Sequence, residues 1–156
     1  AYGLSVGDKA AAGAVFAPRV ITELELPSTP LPQYSVVVLS DTSAPRSAGL
    51  RSALKKYVEN GGLLIIFPGA HTNGPDMNAF LGTGSPEGAG ILPATIGQHI
   101  EVKGAGDLAS GAVFAPQGFT HPVLQPFGEA YKSGMQVGLT SVQTREYLKL
   151  SPPADG

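Results

Sequence analysis

The sequence predicts an α/β protein with parallel strands, and three consecutive segments support that class. Residues 34–39 are an apolar, largely β-branched run, which is typical of a strand buried on both faces of a parallel sheet. Four apolar side chains then recur at the spacing of one helix face: Leu50, Leu54, Tyr57 and Val58. A second apolar run, Leu63–Phe67, follows. Strand, helix and strand in this order predict a βαβ unit, with parallel strands and a right-handed crossover.

The residues that flank these three segments are typical of element boundaries. Residues 40–43 (Ser-Asp-Thr-Ser) are turn formers and helix caps, and they end the first strand. Ser47 is the expected N-cap of the helix, and Pro45 suits the approach to it. Residues 60–62 (Asn-Gly-Gly) predict a left-handed end to the helix. Pro68 and Gly69 close the second strand.

Outside this unit the expected elements are shorter. Val20–Leu26 alternates well enough to predict a preceding strand, or a strand that leads into a short helix. The remaining elements are expected in this order: one or two helical turns at 76–81, a Gly-rich surface loop at 82–90, short edge strands at 91–94 and 99–102, and a late strand within 142–150.

Composition excludes several classes of function. The 156 residues suit a single domain, 1–156, and we expect it to be part of a larger chain because the last residues resemble an interrupted loop. A net charge of −2 provides no basic surface for nucleic acid. The absence of Cys excludes disulfides, zinc-thiolate sites and cysteine nucleophiles. No apolar run approaches the roughly 20 residues of a membrane-spanning helix, so this segment is not expected to insert into a membrane.

The candidate ligand site lies where the two predicted strands end, because ligands of doubly wound α/β sheets bind beyond the carboxyl ends of the strands. Six residues are candidates for ligand binding there: Asp41, Ser43, Gly69, His71, Asn73 and His121. The simpler interpretation is that Asp41 satisfies backbone N–H groups of its turn. A His near a turn is likewise more often a surface or hydrogen-bonding residue than a ligand.

No catalytic, metal or cofactor site is predicted. The corner at residues 67–71 has the position of a nucleophile elbow but holds neither Ser nor Cys, and no Gly-x-Ser-x-Gly motif occurs. The spacing of the His residues is not a metal signature. The loop at 82–90 lacks the Gly-Lys-Ser/Thr ending of a phosphate-binding loop.

Two segments resemble a known family. Residues 34–41, followed by 54–64 with the motif Tyr-Val-x-x-Gly-Gly and an apolar strand, resemble class I glutamine amidotransferase-like domains that lack the catalytic Cys. The resemblance is in particular to the domain found in aerotolerance-type (BatA-like) bacterial membrane proteins. Segments 92–94, 120–127 and 145–150 agree with it, so the resemblance covers roughly residues 15–150.

The resemblance implies a three-layer α/β/α sandwich with a mainly parallel sheet, which is flavodoxin-like. It also implies a non-catalytic module that binds a protein partner or other domains of its parent chain, without a cofactor. The implied location is the extracytoplasmic part of a bacterial membrane protein, and a cytoplasmic location is the alternative.

A rival family within the same fold is the trehalose-utilisation (ThuA-like) branch, which shares the Tyr-Val-x-x-Gly-Gly motif and a His-Pro segment. It implies an enzyme or a domain that binds a small polar, sugar-like ligand through Asp41, His71 and His121. Convergence of these three side chains on one point would favour the rival, whereas separate placement would favour the binding module. A structural spacer, the third possibility, predicts no pocket at this edge.

Overall fold

The computed structural model describes residues 17–83, 88–102, 111–113, 122, 124–133 and 142–152. Helices and strands alternate along this part of the chain, so the α/β class is confirmed. The elements are two short 3₁₀ helices (Leu26–Ser28 and Leu31–Gln33), strand β1 (Val36–Ser40), helix α1 (Ala48–Glu59), strand β2 (Leu63–Phe67), helix α2 (Gly74–Leu81), strand β3 (Thr95–Glu101), helix α3 (Gln125–Lys132) and strand β4 (Glu146–Ser151). None of the described helices is long and apolar enough to cross a membrane.

The predicted β1–α1–β2 unit is present, and its two strands are parallel. The register runs from the Val36–Leu63 pair to the Ser40–Phe67 pair. At the start of α1 the hydroxyl of Ser47 accepts the backbone N–H of Leu50 at 3.4 Å, as the sequence predicts for its N-cap.

The chain leaves α1 through a tight turn that only glycine permits. Gly61 adopts the left-handed conformation, with φ of 89°. A Cβ atom at Gly62 would overlap the ring of Tyr57. That ring is fixed because the Tyr57 hydroxyl shares its single proton between the carbonyl of Tyr34 (3.1 Å), just before β1, and that of Leu63 (3.3 Å), the first residue of β2. The turn therefore sets where β2 begins relative to β1.

The second pair of strands, β3 and β4, is antiparallel, with a register irregularity between Ile96 and His99. Helix α2 contacts β3, and the amide of Asn78 bridges the two elements. Its Nδ2 donates to the carbonyl of Ile96 at 2.8 Å, and its Oδ1 accepts the Ile96 N–H at 2.9 Å. The described strands thus form two separate two-stranded sheets, one parallel and one antiparallel, whereas the resemblance implies one mainly parallel sheet.

The hydrophobic core joins α1, α2 and the core-facing sides of the strands. Leu54 of α1 and Met77 and Leu81 of α2 have no solvent exposure. Val37, Leu64 and Ile66 of the parallel pair are partly buried and pack against this cluster.

The expectation that β1 and β2 are buried on both faces is wrong. The face opposite the core carries apolar side chains that are exposed: Val36, Val38, Leu63 and Phe67. Val38 is 51% and Phe67 59% exposed. In the described part of the chain α1 and α2 contribute to the core on one side of this pair, and the second side has no such cover. The apolar runs predicted the strands correctly but not how many of their faces are covered.

The expectation of a strand at Val20–Leu26 is also wrong. The backbone N–H and the hydroxyl of Thr22 both donate to the carboxylate of Glu25 at 2.8 Å, which closes a turn. These two hydrogen bonds hold the pKa of Glu25 below its ordinary value. The Thr22 backbone N–H bonds to a local side chain and not to a neighbouring strand. Of the expected strand and short helix, the structure has only the 3₁₀ helix at Leu26–Ser28.

The other short elements agree in part with the sequence. The predicted helical turns are α2, and the late strand is β4 with a later start than expected. Residues 91–94 are not a strand, whereas 99–101 belong to β3. In the predicted loop at 82–90, residues 84–87 lie outside the described ranges.

Candidate functional site

The carboxyl ends of β1 and β2 bring Asp41 and His71 into contact. The Asp41 N–H donates to the carbonyl of Phe67 at 2.8 Å, and Asp41 then turns into the left-handed region with φ of 50°. Its carboxylate accepts two hydrogen bonds from His71. The backbone N–H donates to Oδ1 at 2.7 Å, and Nδ1 of the ring donates to Oδ2 at 2.6 Å.

This pair favours a charged state for both partners. The hydrogen bonds from His71 hold the pKa of Asp41 below its ordinary value. The hydrogen bond to Asp41 and the negative charge of Asp41 raise the pKa of His71, and the charge of Glu23 acts in the same direction. The His71 side chain is nevertheless 82% exposed. Because Nδ1 is engaged with Asp41, Nε2 is the ring nitrogen that a ligand can reach.

Gly69 makes room for this contact. A Cβ atom at Gly69 would lie 2.5 Å from Oδ1 of Asp41, so a side chain there would displace the carboxylate. Gly69 is therefore a positioning residue, since what matters at this position is the absence of a side chain.

Thr72 supports the same turn and was missed by the sequence prediction. Its hydroxyl accepts the Gly69 N–H at 3.0 Å and donates to the carbonyl of Thr42 at 3.4 Å. Thr72 is buried, although it is polar. A Thr three residues after a glycine turn was the available signal, because Ser and Thr hydroxyls commonly bond to the backbone of such turns.

Ser43 lies at the same corner and is held by Glu23. The Ser43 N–H donates to one carboxylate oxygen of Glu23 at 2.7 Å, and the Ser43 hydroxyl donates to the other at 2.8 Å. No sequence signal identifies Glu23, because it is far from Ser43 along the chain and belongs to the segment predicted as a strand. The hydroxyl proton of Ser43 is directed to Glu23, so this hydroxyl is not arranged as a nucleophile activated by His71.

Of the other two predicted site residues, Asn73 caps a helix and His121 is not among the described residues. Asn73 is the N-cap of α2, and its Oδ1 accepts the backbone N–H of Asp76 at 3.0 Å. Its side chain therefore has a structural role in the free chain. His121 lies outside the described residues. Of the three side chains whose convergence would favour the ThuA-like family, Asp41 and His71 do meet, and the position of the third is not described.

The Asp41–His71 pair can exchange a proton at Nε2 and can hold a ligand oxygen there. No group of three or more His, Cys, Asp or Glu side chains within the described ranges could hold a metal ion. A separate cleft of about 660 Å³ lies where the strands begin, between Pro30, Tyr34 and the end of α1. It is at the opposite edge of the sheet from Asp41.

The corner is thus defined by contacts between the ends of two parallel strands and one upstream carboxylate. Its polar groups are the imidazole of His71, the carboxylates of Asp41 and Glu23, and the hydroxyl and N–H of Ser43.

Comparisons with protein-family models, with curated proteins and with solved structures found no match to this chain.

Proposed function

We propose that this chain is a non-catalytic, amidotransferase-like module that binds a protein partner or a neighbouring domain of a larger, membrane-anchored bacterial protein. The proposal includes the flavodoxin-like, three-layer sandwich and the extracytoplasmic location that the resemblance implies. The observation that carries it is the exposed imidazole of His71, which Asp41 fixes at two points.

An exposed but fixed ring is suited to recognition. His71 is held by one backbone and one side-chain hydrogen bond, so less conformational entropy is lost when a ligand binds its free nitrogen. Asp41 also favours the protonated ring, which then donates a charge-assisted hydrogen bond from Nε2. The preferred ligand group at this position is therefore an acceptor with negative charge, such as a carboxylate.

The open face of the parallel pair supports a protein as the ligand. The exposed side chains of Val36, Val38, Leu63 and Phe67 form an apolar surface. This surface reaches the corner, because the Phe67 carbonyl accepts the N–H of Asp41. Contiguous apolar surfaces of this kind mark sites of protein contact. The matching partner surface is apolar and carries an acidic group at one end.

The contact between Asp41 and His71 also favours a second candidate function, a ThuA-like enzyme or a domain for a small, sugar-like ligand. When neutral, His71 donates Nδ1–H to Asp41 and presents the Nε2 lone pair, which is the arrangement of a general base. Since the Ser43 hydroxyl donates to Glu23, the group that loses its proton would be a hydroxyl of the substrate or a water molecule.

Thermal unfolding of the chain with separate ligands distinguishes the two candidates. The ligands are a tetraglutamate peptide, glutamine, sugars and divalent metal ions, each tested on the wild type, His71→Ala and the control His99→Ala, which removes an exposed His of β3. A ligand at about 100 times its Kd stabilises by roughly 2.7 kcal/mol. For a chain of this size that raises Tm by about 5–10 °C. We expect this rise with the acidic peptide, and we expect it to disappear only in His71→Ala.

Other outcomes contradict the module. A rise produced by a sugar or a metal ion and lost in His71→Ala, without a response to the acidic peptide, would establish the second candidate instead. A response to the peptide that persists in His71→Ala would show that the imidazole of His71 does not recognise the peptide.

A further inference from the structure

We infer that the backbone N–H and the hydroxyl of Ser43 form a carboxylate-binding site, and that Glu23 occupies it as an internal ligand in the free chain. The inference rests on the proposed binding function and specifies the chemistry of the ligand. The ligand group is a carboxylate, which either an acidic peptide or a small organic acid could supply.

The geometry of the contact is that of a bound carboxylate. Each oxygen of Glu23 accepts one hydrogen bond, at 2.7 Å from the Ser43 nitrogen and at 2.8 Å from the Ser43 hydroxyl. The N–H distance is in the range of hydrogen bonds to charged acceptors, and the hydroxyl distance is that of an ordinary O–H···O hydrogen bond. His71 is close enough for the charge of Glu23 to contribute to raising the pKa of the imidazole. The two Ser43 donors, and a nearby ring whose protonated form Asp41 favours, thus favour one negative charge at this position.

Glu23 reaches this site from a segment that contributes little packing of its own. Val20 is 86% and Leu24 is 91% exposed. Glu23 itself is exposed, and it lies 20 positions before Ser43 in the sequence. Because its immediate neighbours Thr22 and Leu24 are exposed, Glu23 is held mainly by the two hydrogen bonds to Ser43. An external carboxylate can form the same two bonds and replace it.

Competition between the internal and the external carboxylate has a measurable effect. If Glu23 fills the site for about nine-tenths of the time, the apparent affinity for an external carboxylate is about tenfold weaker than that of the open site. Removal of the Glu23 carboxylate should therefore strengthen binding by about that factor.

The test is an NMR titration of the ¹⁵N-labelled chain with two probes, acetate and an N-acetylated tetraglutamate amide. The variants are the wild type, Glu23→Ala and the control Glu25→Gln. The control removes a charge from the same segment, while its amide oxygen can still accept the Thr22 hydrogen bonds that close the turn around Glu23. The reporters are the Ser43 amide and the His71 ring proton Hε1.

We expect the Ser43 amide to move upfield in Glu23→Ala, and added probe to reverse that movement. Both probes should bind Glu23→Ala about tenfold more tightly than the wild type or Glu25→Gln. A peptide that binds more tightly than acetate at equal carboxylate concentration identifies acidic peptides as the ligand source, whereas equal affinities identify small acids.

Equal affinities for the wild type and Glu23→Ala, or a Ser43 amide that does not respond to either probe, would overturn this inference. If the probes shift only the His71 Hε1 signal, recognition of acidic groups by His71 is supported, and the inference that Glu23 occupies a carboxylate site at Ser43 is refuted. If neither reporter responds to either probe, the carboxylate site is refuted, and acidic recognition by His71 is refuted with it.

Discussion

Asp41 links two loops through one carboxylate. Its own N–H continues the hydrogen bonding of β1 to β2, and its left-handed backbone then directs the side chain toward His71. One carboxylate oxygen fixes the backbone of His71 and the other fixes its ring. The close approach to Gly69 requires that this neighbour has no side chain. The orientation of the imidazole is thus determined by residues on both strand ends.

The pH dependence of this pair is the first prediction. The pKa of His71 is raised from 6.5, so its stabilising contribution is complete below about pH 6.5 and is lost as the pH rises through the raised value. The pKa of Asp41 is lowered from 3.8, so its contribution is present above about pH 3.8 and is lost as the pH falls through the lowered value. The contact should be strongest between these two limits.

An NMR pH titration of His71 Hε1 measures this effect directly. In the wild type the midpoint should lie above 6.5, and in Asp41→Asn it should return toward 6.5 because the charged acceptor is gone. Asp76→Asn is the matched control, since Asp76 pairs with Arg46 and not with His71. A wild-type midpoint at or below 6.5 would mean that the two side chains are not in contact in solution.

The two central site residues could be predicted from the sequence, because both follow strands whose carboxyl ends meet at one sheet edge. The role of Asn73 could not be separated from that of a ligand, since a helix cap and a ligand residue occupy the same position after a strand. Glu23 could not be predicted at all, because its contact with Ser43 depends on how the upstream chain folds back.

Among the elements, α1 is the one whose sequence and structure agree most closely. Its apolar stripe, its N-cap and its glycine end were all predicted, and β2 has the predicted bounds. Local signals determined these features, and none depends on distant residues. The strand expected at Val20–Leu26 does not form, for the opposite reason. Its alternating pattern has no neighbouring strand to pair with, and the hydrogen bonds from Thr22 to Glu25 stabilise a turn there instead.

Two glycine substitutions in and after α1 should have opposite effects on stability. Gly62→Ala places a methyl group against the ring of Tyr57 and should lower the free energy of unfolding by about 1–3 kcal/mol. Gly49→Ala lies in the first turn of α1, where the nearest atom to the new Cβ is 3.6 Å away, and should raise it by about 0.5–1 kcal/mol. Urea denaturation of both variants measures the difference. Equal effects would refute the packing of Tyr57 against this turn.

At the scale of the whole described structure, the parallel pair of strands has one covered face and one open face. Leu39 is 4% exposed, whereas its neighbour Val38, on the opposite face, is 51% exposed. The sequence could not predict this difference, because both faces carry the same apolar residue types. Which face is covered depends on the position of the helices.

Two adjacent substitutions in β1 test this difference. Leu39→Ala should lower the free energy of unfolding by about 2–4 kcal/mol, because it leaves a cavity in a buried site. Val38→Ala should lower it by less than about 1 kcal/mol, because half of that side chain is already in water. Chemical denaturation of the two variants gives the comparison. If Val38→Ala lowers the free energy of unfolding as much as Leu39→Ala does, the face that carries Val38 is covered in solution.

The amide of Asn78 has a consequence for how the chain behaves at high concentration. Its two hydrogen bonds to Ile96 take up a backbone donor and acceptor that point away from β4. Gly74 of the same helix lies so close to the carbonyls of Ile96 and Gly97 that a Cβ atom there would be 3.0 Å and 3.1 Å from them. An exposed strand edge is a template on which another chain can add a strand and aggregate. At Ile96 that template is already occupied by a side chain, so the start of β3 is protected from edge-to-edge association.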